Sequence, residues 1–409
     1  MGLNSNSGSN PSDASSVWTA RPRSGPALVG IVVALTALLG WFGALAIARS
    51  IDPSSTADAT ADWLVVSALA DGIDPHSNLR ELADRYKVEF WVSDEPVDRV
   101  LKHPRTPGAL VLLYPLSWVT ADQAYRVMLV VGFAATAVAM IALSRTFSLS
   151  WIAILLGIAY ATLSGPARWS HLFGSQAPIL LLCVAMFLVF MSKDDNPWTG
   201  VWLAIAGTLK MFPLVLLAVL IARRRTRGMA GAVVTLGLLN LTPLLLSHVR
   251  VASTMEALST TVTNWLDLPA NIGLSATIGR LLPVNPTLAS ILGALMVVGA
   301  WLFVLRRSGP LGASCAFLIC IGMLALPLAW PHYILSAVPA VMLALHERVL
   351  TRWQFVGAMI AVVMTIPVRS IAFHTAGLAL MAAVMAYALW TRQTQGSNPS
   401  LPTPMTKPV

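Results

Sequence analysis

Apolar runs of about 17 to 25 residues recur along this chain, beginning with the run from Ala27 to Ala48. A helix of that length crosses about 30 Å of hydrocarbon. Hydrophobic residues make up 56% of the 409 residues and charged residues only 11%, which excludes an ordinary soluble domain. Because a helix satisfies its own backbone hydrogen bonds in lipid, the sequence predicts an all-α polytopic membrane protein.

The distribution of charge predicts which side of the membrane each segment faces. Residues 50–107 contain 11 acidic and 6 basic residues, whereas the rest of the chain is strongly basic. Because basic residues are retained in the cytoplasm, we expect a long extracytoplasmic loop with interfacial helices over residues 50–120. The polar stretches 1–26 and 393–409 are predicted to be disordered cytoplasmic tails on either side of a transmembrane domain over 27–392.

The segment from Trp198 to Ala222 decides the number of helices. It is long enough for one span, but Lys210 and Pro213 lie in its middle. Two short helices with Lys210 at an outer turn keep the arginine cluster at 223–227 in the cytoplasm, so we expect a bundle of about twelve membrane helices. The helices after the long loop are predicted near 121–144, 149–164, 176–192, 229–247, 286–305, 310–329, 333–345, 354–372 and 375–391.

The composition also argues against several cofactors and partners. Cys183, Cys315 and Cys320 lie inside apolar runs, and no His or Cys cluster has metal-ligand spacing. There is no Gly-rich phosphate loop, so the sequence predicts no metal, no cofactor and no nucleotide substrate. The net charge of +9 comes from bases scattered at helix ends, which does not indicate nucleic-acid binding. A lipid-linked substrate reached from the membrane fits better.

In this topology the polar residues that are costly in a membrane protein lie mostly at outer helix ends or in outer loops. A transporter would place such residues near the midplane of several helices, so the one-sided arrangement indicates an outward-facing site. These residues are Asp58, Asp62, His103, Arg105, His171, Gln176, Lys210, Asn271, Arg280 and His332.

Asp58 and Asp62 are the candidate catalytic carboxylates. They are four residues apart, so a helix would place them on one face, one turn from each other. The alternative is a pair of solvated acids in an acidic loop. The apolar residues from Trp63 to Val66 hold Asp62 beside apolar surface, which disfavours the charged carboxylate and makes it a better base. We therefore expect Asp62 to be the base, with Asp58 in reserve.

Candidate phosphate ligands lie in two places. His103 and Arg105 belong to a proline-rich turn before the short apolar run from Ala109 to Val119, which is predicted to lie in the interface. They could bind a phosphate or extend to lipid head groups. Lys210 lies between two apolar half-helices and needs an anionic partner, either a lipid phosphate or an acid of the long loop.

His332 lies between an aromatic pair, Trp330 and Tyr333, where two prolines interrupt a helix. Broken helices are tolerated where they line a cavity, so His332 is either a functional residue or a hydrogen-bonded structural one.

Six segments recur in the order and spacing of one known family. They are Asp62-Trp63 with Ala68, Gly72 and Pro75; His103 to Pro107; Gly174-Ser175-Gln176; Lys210-Met211-Phe212-Pro213 with Arg223 to Arg227; Asn271 to Leu274 with Arg280; and Pro327, Trp330 and His332. Together they resemble glycosyltransferase family 87, mannosyltransferases of the GT-C fold that use polyprenyl-phosphate mannose.

The resemblance implies an inverting transfer of mannose from polyprenyl-phosphate mannose to a mannosylated glycolipid. The acceptor would be a phosphatidylinositol mannoside, lipomannan or lipoarabinomannan, extended through alpha-(1→2) linkages at the outer face of the plasma membrane. Two alternatives remain: an arabinosyltransferase that uses decaprenyl-phosphate arabinose, and a lipid or polyprenol flippase.

The resemblance implies that an Asp of the outer loop is the base, which would be Asp62 or Asp58. We expect His332 to orient the substrates. The candidate ligands of the donor phosphate are Lys210, Arg105, Arg280 and His103. The candidate substrate contacts are Trp63, Gln176, His171, Asn271 and Trp330.

Overall fold

A computed structural model describes residues 25–48, 57–89, 102–246, 249–265, 271–281, 286–307, 309–347, 350–367 and 371–396. All regular secondary structure in these segments is helical, as the sequence predicts. The two predicted tails lie outside the described residues except at their inner ends.

Eighteen α-helices, α1 to α18, make up the described part of the chain. The first nine are Pro26–Ala48, Ala57–Ala70, Leu79–Tyr86, Pro107–Leu113, Ala121–Phe147, Trp151–Leu163, Gly165–Phe173, Ala177–Met191 and Pro197–Leu209. The others are Leu217–Ala222, Thr226–Leu246, Val251–Trp265, Leu274–Leu281, Pro286–Arg306, Leu311–Ala325, Val338–His346, Arg352–Met364 and Ile371–Gly396. Three 3₁₀ helices adjoin α-helices: Tyr114–Trp118 follows α4, Phe212–Leu216 precedes α10, and Pro331–Ala337 precedes α16.

Most of the predicted helices are confirmed. Those near 149–164, 176–192, 229–247 and 286–305 end within three residues of the prediction, and the chain breaks at Lys210 between two short helices. The helix predicted over 354–372 is too long, because α17 ends at Met364, shortly before a proline that disfavours helix at the preceding residue. The short helices α7, α12 and α13 were not predicted.

Among the helices of the described segments, three are both long and apolar enough to cross a membrane by themselves: α5, α11 and α18. A fourth span results if α7 and α8, which meet at a bend of 119°, are counted together. The prediction of about twelve spans is therefore not confirmed. Large apolar side chains are exposed along α11 and α14, among them Val233, Leu238, Leu241, Ile291 and Leu295, and such surfaces are suited to lipid. The chain is membrane-integral.

Two apolar cores pack against each other. The larger core contains most of the buried side chains of α5 to α9 and α15 to α18. The smaller core is built around α2 and includes Leu64, Val65, Leu110 and Leu113. Polar side chains of α2 meet the start of α8 and the 3₁₀ helix Pro331–Ala337 between these cores, which is where the candidate site lies.

Candidate active site

The helix α2 is buried on nearly every side, as the apolar residues after Asp62 predict. Ala59, Leu64, Val65 and Val66 are fully buried. The indole N–H of Trp63 donates to the carbonyl of Val119 at 2.7 Å, so this side chain anchors α2 to the segment after α4. The candidate carboxylates are therefore carried on a helix inside the bundle.

Asp62 is fully buried and accepts hydrogen bonds from three residues. His103 Nε2 lies 2.8 Å from Oδ1, and Arg105 approaches the same oxygen through both Nε and Nη2 at 2.6 Å. Gln176 Nε2 donates to Oδ2 at 2.8 Å. Three residues that lie more than 40 positions from Asp62 in the sequence are thus brought together around its carboxylate.

A tight turn between α7 and α8 brings Gln176 to Asp62. Gly174 ends α7 with a φ of +61°, a conformation that side chains with a Cβ rarely adopt. A Cβ at this position would also lie 2.7 Å from the Cβ of Ala59 on α2. The glycine therefore allows the close approach of α7 and α2 that places Gln176 beside the carboxylate.

Asp58 faces a different group of residues one turn away on α2. Its Oδ2 lies 3.6 Å from His332 Nε2, and its side chain keeps 29% of its surface exposed. Lys210 is close enough to Asp58 for their charges to interact, and its Nζ lies 4.9 Å from the centre of the Tyr333 ring. Tyr333 in turn stacks on Phe212. The two carboxylates therefore have different surroundings, and Asp58 is the accessible one.

The surroundings shift the pKa values of the two carboxyls in opposite directions. Burial would raise the pKa of Asp62, but the Arg105 guanidinium and the His103 hydrogen bond outweigh it and hold this pKa well below its ordinary value. Burial raises the pKa of Asp58 above its ordinary value, although Lys210 and Arg105 act against it. Asp62 is therefore a weak base held in its ionised form, whereas Asp58 is the more basic carboxylate.

The basic groups respond to the same burial. Burial and then the charge of Arg105 lower the pKa of His103 to about 4, so its imidazole is neutral near pH 7. Burial and then the charge of Arg105 lower the pKa of Lys210 to about 7, although Asp58 and Asp62 act against them. Near pH 7 Arg105 is therefore the full cation of the cluster, and Lys210 is only partly protonated.

Several buried polar atoms at this cluster have no hydrogen-bond partner among the described residues: Arg105 Nη1, Gln176 Oε1 and both ring nitrogens of His332. Leaving such groups unsatisfied costs about 1 to 3 kcal/mol each, so their convergence indicates a place for a polar ligand. A guanidinium N–H and an imidazole suit phosphate oxygens and hydroxyl groups. Among the described residues, no group of three His, Cys, Asp or Glu side chains could hold a metal ion.

Other predicted site residues have protein partners. Asn271 donates to the carbonyl of Pro327 at 2.7 Å and accepts from the N–H groups of Gly273 and Ala329, so it holds the turn before His332. The His171 ring packs 4.9 Å from Phe133. Trp330 packs against the larger core. The side chain of Arg280 lies outside the described part of the structure.

Sequence reasoning missed two residues near the cluster. Tyr333 supports Lys210 with its ring, and His76 contacts the carbonyl of Arg105 at 3.0 Å. Tyr333 adjoins His332 and could have been added from that position alone. Nothing in the spacing of His76 indicates its contact, which depends on how residues 71–78 turn back after α2.

A family model of glycosyltransferases matches residues 106–331, more than half of the chain. The chain belongs to glycosyltransferase family 87. The family 87 match includes Gln176, Lys210 and Asn271, but begins after Arg105 and ends one residue before His332, so both carboxylates of α2 lie outside it. No curated protein matches the chain. Membership of the family makes this membrane-integral protein a glycosyltransferase, which argues against the flippase alternative.

Proposed function

We propose that this family 87 enzyme transfers mannose from polyprenyl-phosphate mannose to a mannosylated glycolipid, with inversion at the anomeric carbon. The acceptor would be a phosphatidylinositol mannoside, lipomannan or lipoarabinomannan. The new glycosidic linkage would be alpha-(1→2). The sugar, the acceptor and the position of the site at the outer face of the plasma membrane rest on the sequence resemblance and on the charge distribution. An arabinose donor is the competing possibility that the first experiment addresses.

The observation that carries the proposal is the presence of an accessible carboxylate beside two basic side chains and beside buried polar atoms that have no hydrogen-bond partner among the described residues. Asp58 is partly exposed beside His332 and Lys210. In the same cluster, Arg105 Nη1 is buried and has no hydrogen-bond partner among the described residues. Glycosyl transfer from a lipid phosphate needs a base for the acceptor hydroxyl and positive charge for the departing phosphate. This cluster offers both.

Asp58 is the better candidate for the base. The sequence favoured Asp62, with Asp58 in reserve, but both oxygens of Asp62 accept hydrogen bonds from buried donors and its pKa is lowered. Asp58 is partly exposed and its pKa is raised, so it can both reach an acceptor and hold a proton. In this proposal Asp62 keeps Arg105 and His103 in place.

The proposed reaction is a single displacement. The acceptor oxygen attacks the anomeric carbon of the donor and forms the new glycosidic bond, while the bond from that carbon to the phosphate oxygen breaks. The acceptor's proton passes to Asp58, and the electron pair leaves with the polyprenyl phosphate. Arg105 Nη1 and Lys210 would stabilise the negative charge of the departing phosphate, and His332 would orient the hydroxyl or the phosphate.

Membranes containing the protein, given polyprenyl phosphates labelled in the sugar, test this function. We expect radiolabelled mannose, but not arabinose, to enter an organic-extractable glycolipid, with polyprenyl phosphate released in equal amount. Asp122→Asn, which changes an exposed acid of α5 that pairs with Arg126, is the control and should transfer at the wild-type rate. Arabinose transfer would change the proposed sugar, and an absence of transfer from either donor would refute the proposed activity.

A further inference from the structure

The segment from Lys102 to Thr106 carries His103 and Arg105 but forms no helix or strand. Its position therefore depends on contacts with other elements. At its ends, Thr261 Oγ1 donates to the carbonyl of Lys102 at 3.0 Å, and Thr106 Oγ1 donates to the carbonyl of Thr208 at 2.7 Å. These two contacts fix the ends of the segment. They do not fix Arg105, which lies between them and whose guanidinium binds Asp62.

The backbone of Arg105 itself is held by His76. His76 is 1% exposed, and its Nε2 lies 3.0 Å from the carbonyl oxygen of Arg105. A carbonyl can only accept, so Nε2 must carry the proton and donate. Asp62 therefore binds the side chain of Arg105, and His76 binds its main chain.

The turn that carries His76 is fixed by the preceding acid. The backbone N–H of His76 donates to Asp74 Oδ1 at 2.9 Å, and the same oxygen lies 3.6 Å from the ring Nδ1. The backbone hydrogen bond fixes the turn from which Nε2 is directed at Arg105, whereas 3.6 Å is too long for a hydrogen bond to Nδ1, which has no partner among the described residues.

We propose that His76 is a positioning residue for the donor-phosphate site, because it fixes the main chain from which Arg105 presents Nη1. The proposal rests on the proposed function only in naming a phosphate as the ligand of Arg105. Without His76 the Arg105 carbonyl loses its donor, the segment can shift between its fixed ends, and the guanidinium no longer points one N–H at the site.

Binding of farnesyl phosphate, a short polyprenyl phosphate that carries no sugar, tests the positioning separately from transfer. His76→Phe keeps a flat ring but removes the donor, and should raise the dissociation constant by about tenfold to a hundredfold, the range for a lost charge-assisted hydrogen bond. His76→Gln retains an N–H at a similar distance from Cβ and should bind nearly as the wild type does. Arg105→Met should weaken binding to a similar extent, and His76→Phe combined with Arg105→Met should add little further.

His374 provides the matched control. It is also fully buried and its Nε2 donates to a backbone carbonyl, that of Thr365 at 3.1 Å, but it lies on α18. His374→Phe should alter thermal stability about as much as His76→Phe does while leaving the dissociation constant unchanged. If both Phe variants weaken binding equally, or if the His76 and Arg105 effects simply add, His76 has no positioning role.

A second variant keeps the test decisive if His76→Phe does not fold. Asp74→Ala, in a half-exposed turn, should raise the dissociation constant about twofold to fivefold by loosening His76. Unchanged binding in Asp74→Ala would overturn the proposal. Failure of the proposed function would instead appear as wild-type binding of farnesyl phosphate with no sugar transfer.

Discussion

The ion pair between Asp62 and Arg105 allows a quantitative test of how the site is built. Arg105 is 2% exposed and Asp62 is fully buried, so each charge depends on the other. Asp62→Ala leaves the guanidinium unpaired in the interior, together with the donors of His103 and Gln176. Breaking a buried pair in this way destabilises a protein by about 3 to 5 kcal/mol. Arg105→Met should have a smaller effect, because His103 and Gln176 still bond to Asp62.

The double variant separates the ion pair from simple loss of packing. When both charges are removed, no unpaired charge remains in the interior, so the destabilisation should be less than the sum of the single effects by about 2 to 4 kcal/mol. Unfolding of the purified protein in mixed micelles with increasing denaturing detergent gives the three free energies. The exposed pair Asp122 and Arg126, at 2.8 Å on α5, is the control, and its coupling should be about 0.3 to 0.5 kcal/mol.

The effect of pH on this coupling has a defined sign. The pKa of Asp62 is lowered in the folded protein, so the stabilisation is fully present above the ordinary carboxyl pKa and is lost as the pH falls towards the folded value. The coupling should therefore be the same at pH 8 and pH 5. Additive single effects, or a coupling no larger than that of the surface pair, would refute the view that Asp62 is the charge around which Arg105 is held.

Three further outcomes follow from the site. The acid limb of kcat/KM should have its midpoint above the ordinary pKa of an aspartate, because burial raises the pKa of Asp58 and protonation removes the base. A midpoint at or below that ordinary value would contradict this role. Lys210→Met should lower the affinity for farnesyl phosphate by about tenfold, since one of two cations is lost, and equal affinity would remove Lys210 from the phosphate site. Asn271→Ala should lower the thermal unfolding temperature through three lost bonds and reduce kcat by displacing His332; reduced stability with unchanged kcat would leave Asn271 a purely structural residue.

The helical fold could be read from the sequence because hydropathy runs and helix-breaking residues are local signals. The break at Lys210 followed from the charge on the two sides of the segment, and the structure confirms it. The number of spans could not be confirmed, because many apolar helices are shorter than about 18 residues and their length alone does not fix a crossing.

Most residues of the site could be identified from the sequence, but the role of each residue could not. Asp58 and Asp62 look alike in sequence and lie one helical turn apart. Only tertiary contacts from Arg105, His103 and Gln176 show that one carboxylate is enclosed by donors and the other is accessible. Apolar neighbours indicate that Asp62 is buried, yet they do not reveal which cations share that interior.

In the proposed mechanism Asp58, held beside His332 and Lys210, is the base of glycosyl transfer. The most direct measurement compares transfer from labelled polyprenyl-phosphate mannose by membranes containing wild type, Asp58→Asn and the exposed-site control Asp122→Asn. Loss of general-base catalysis should reduce kcat in Asp58→Asn by about 10² to 10⁴-fold with little change in donor KM, and the control should be unaffected. Transfer by Asp58→Asn at a rate close to that of the wild type would contradict the claim.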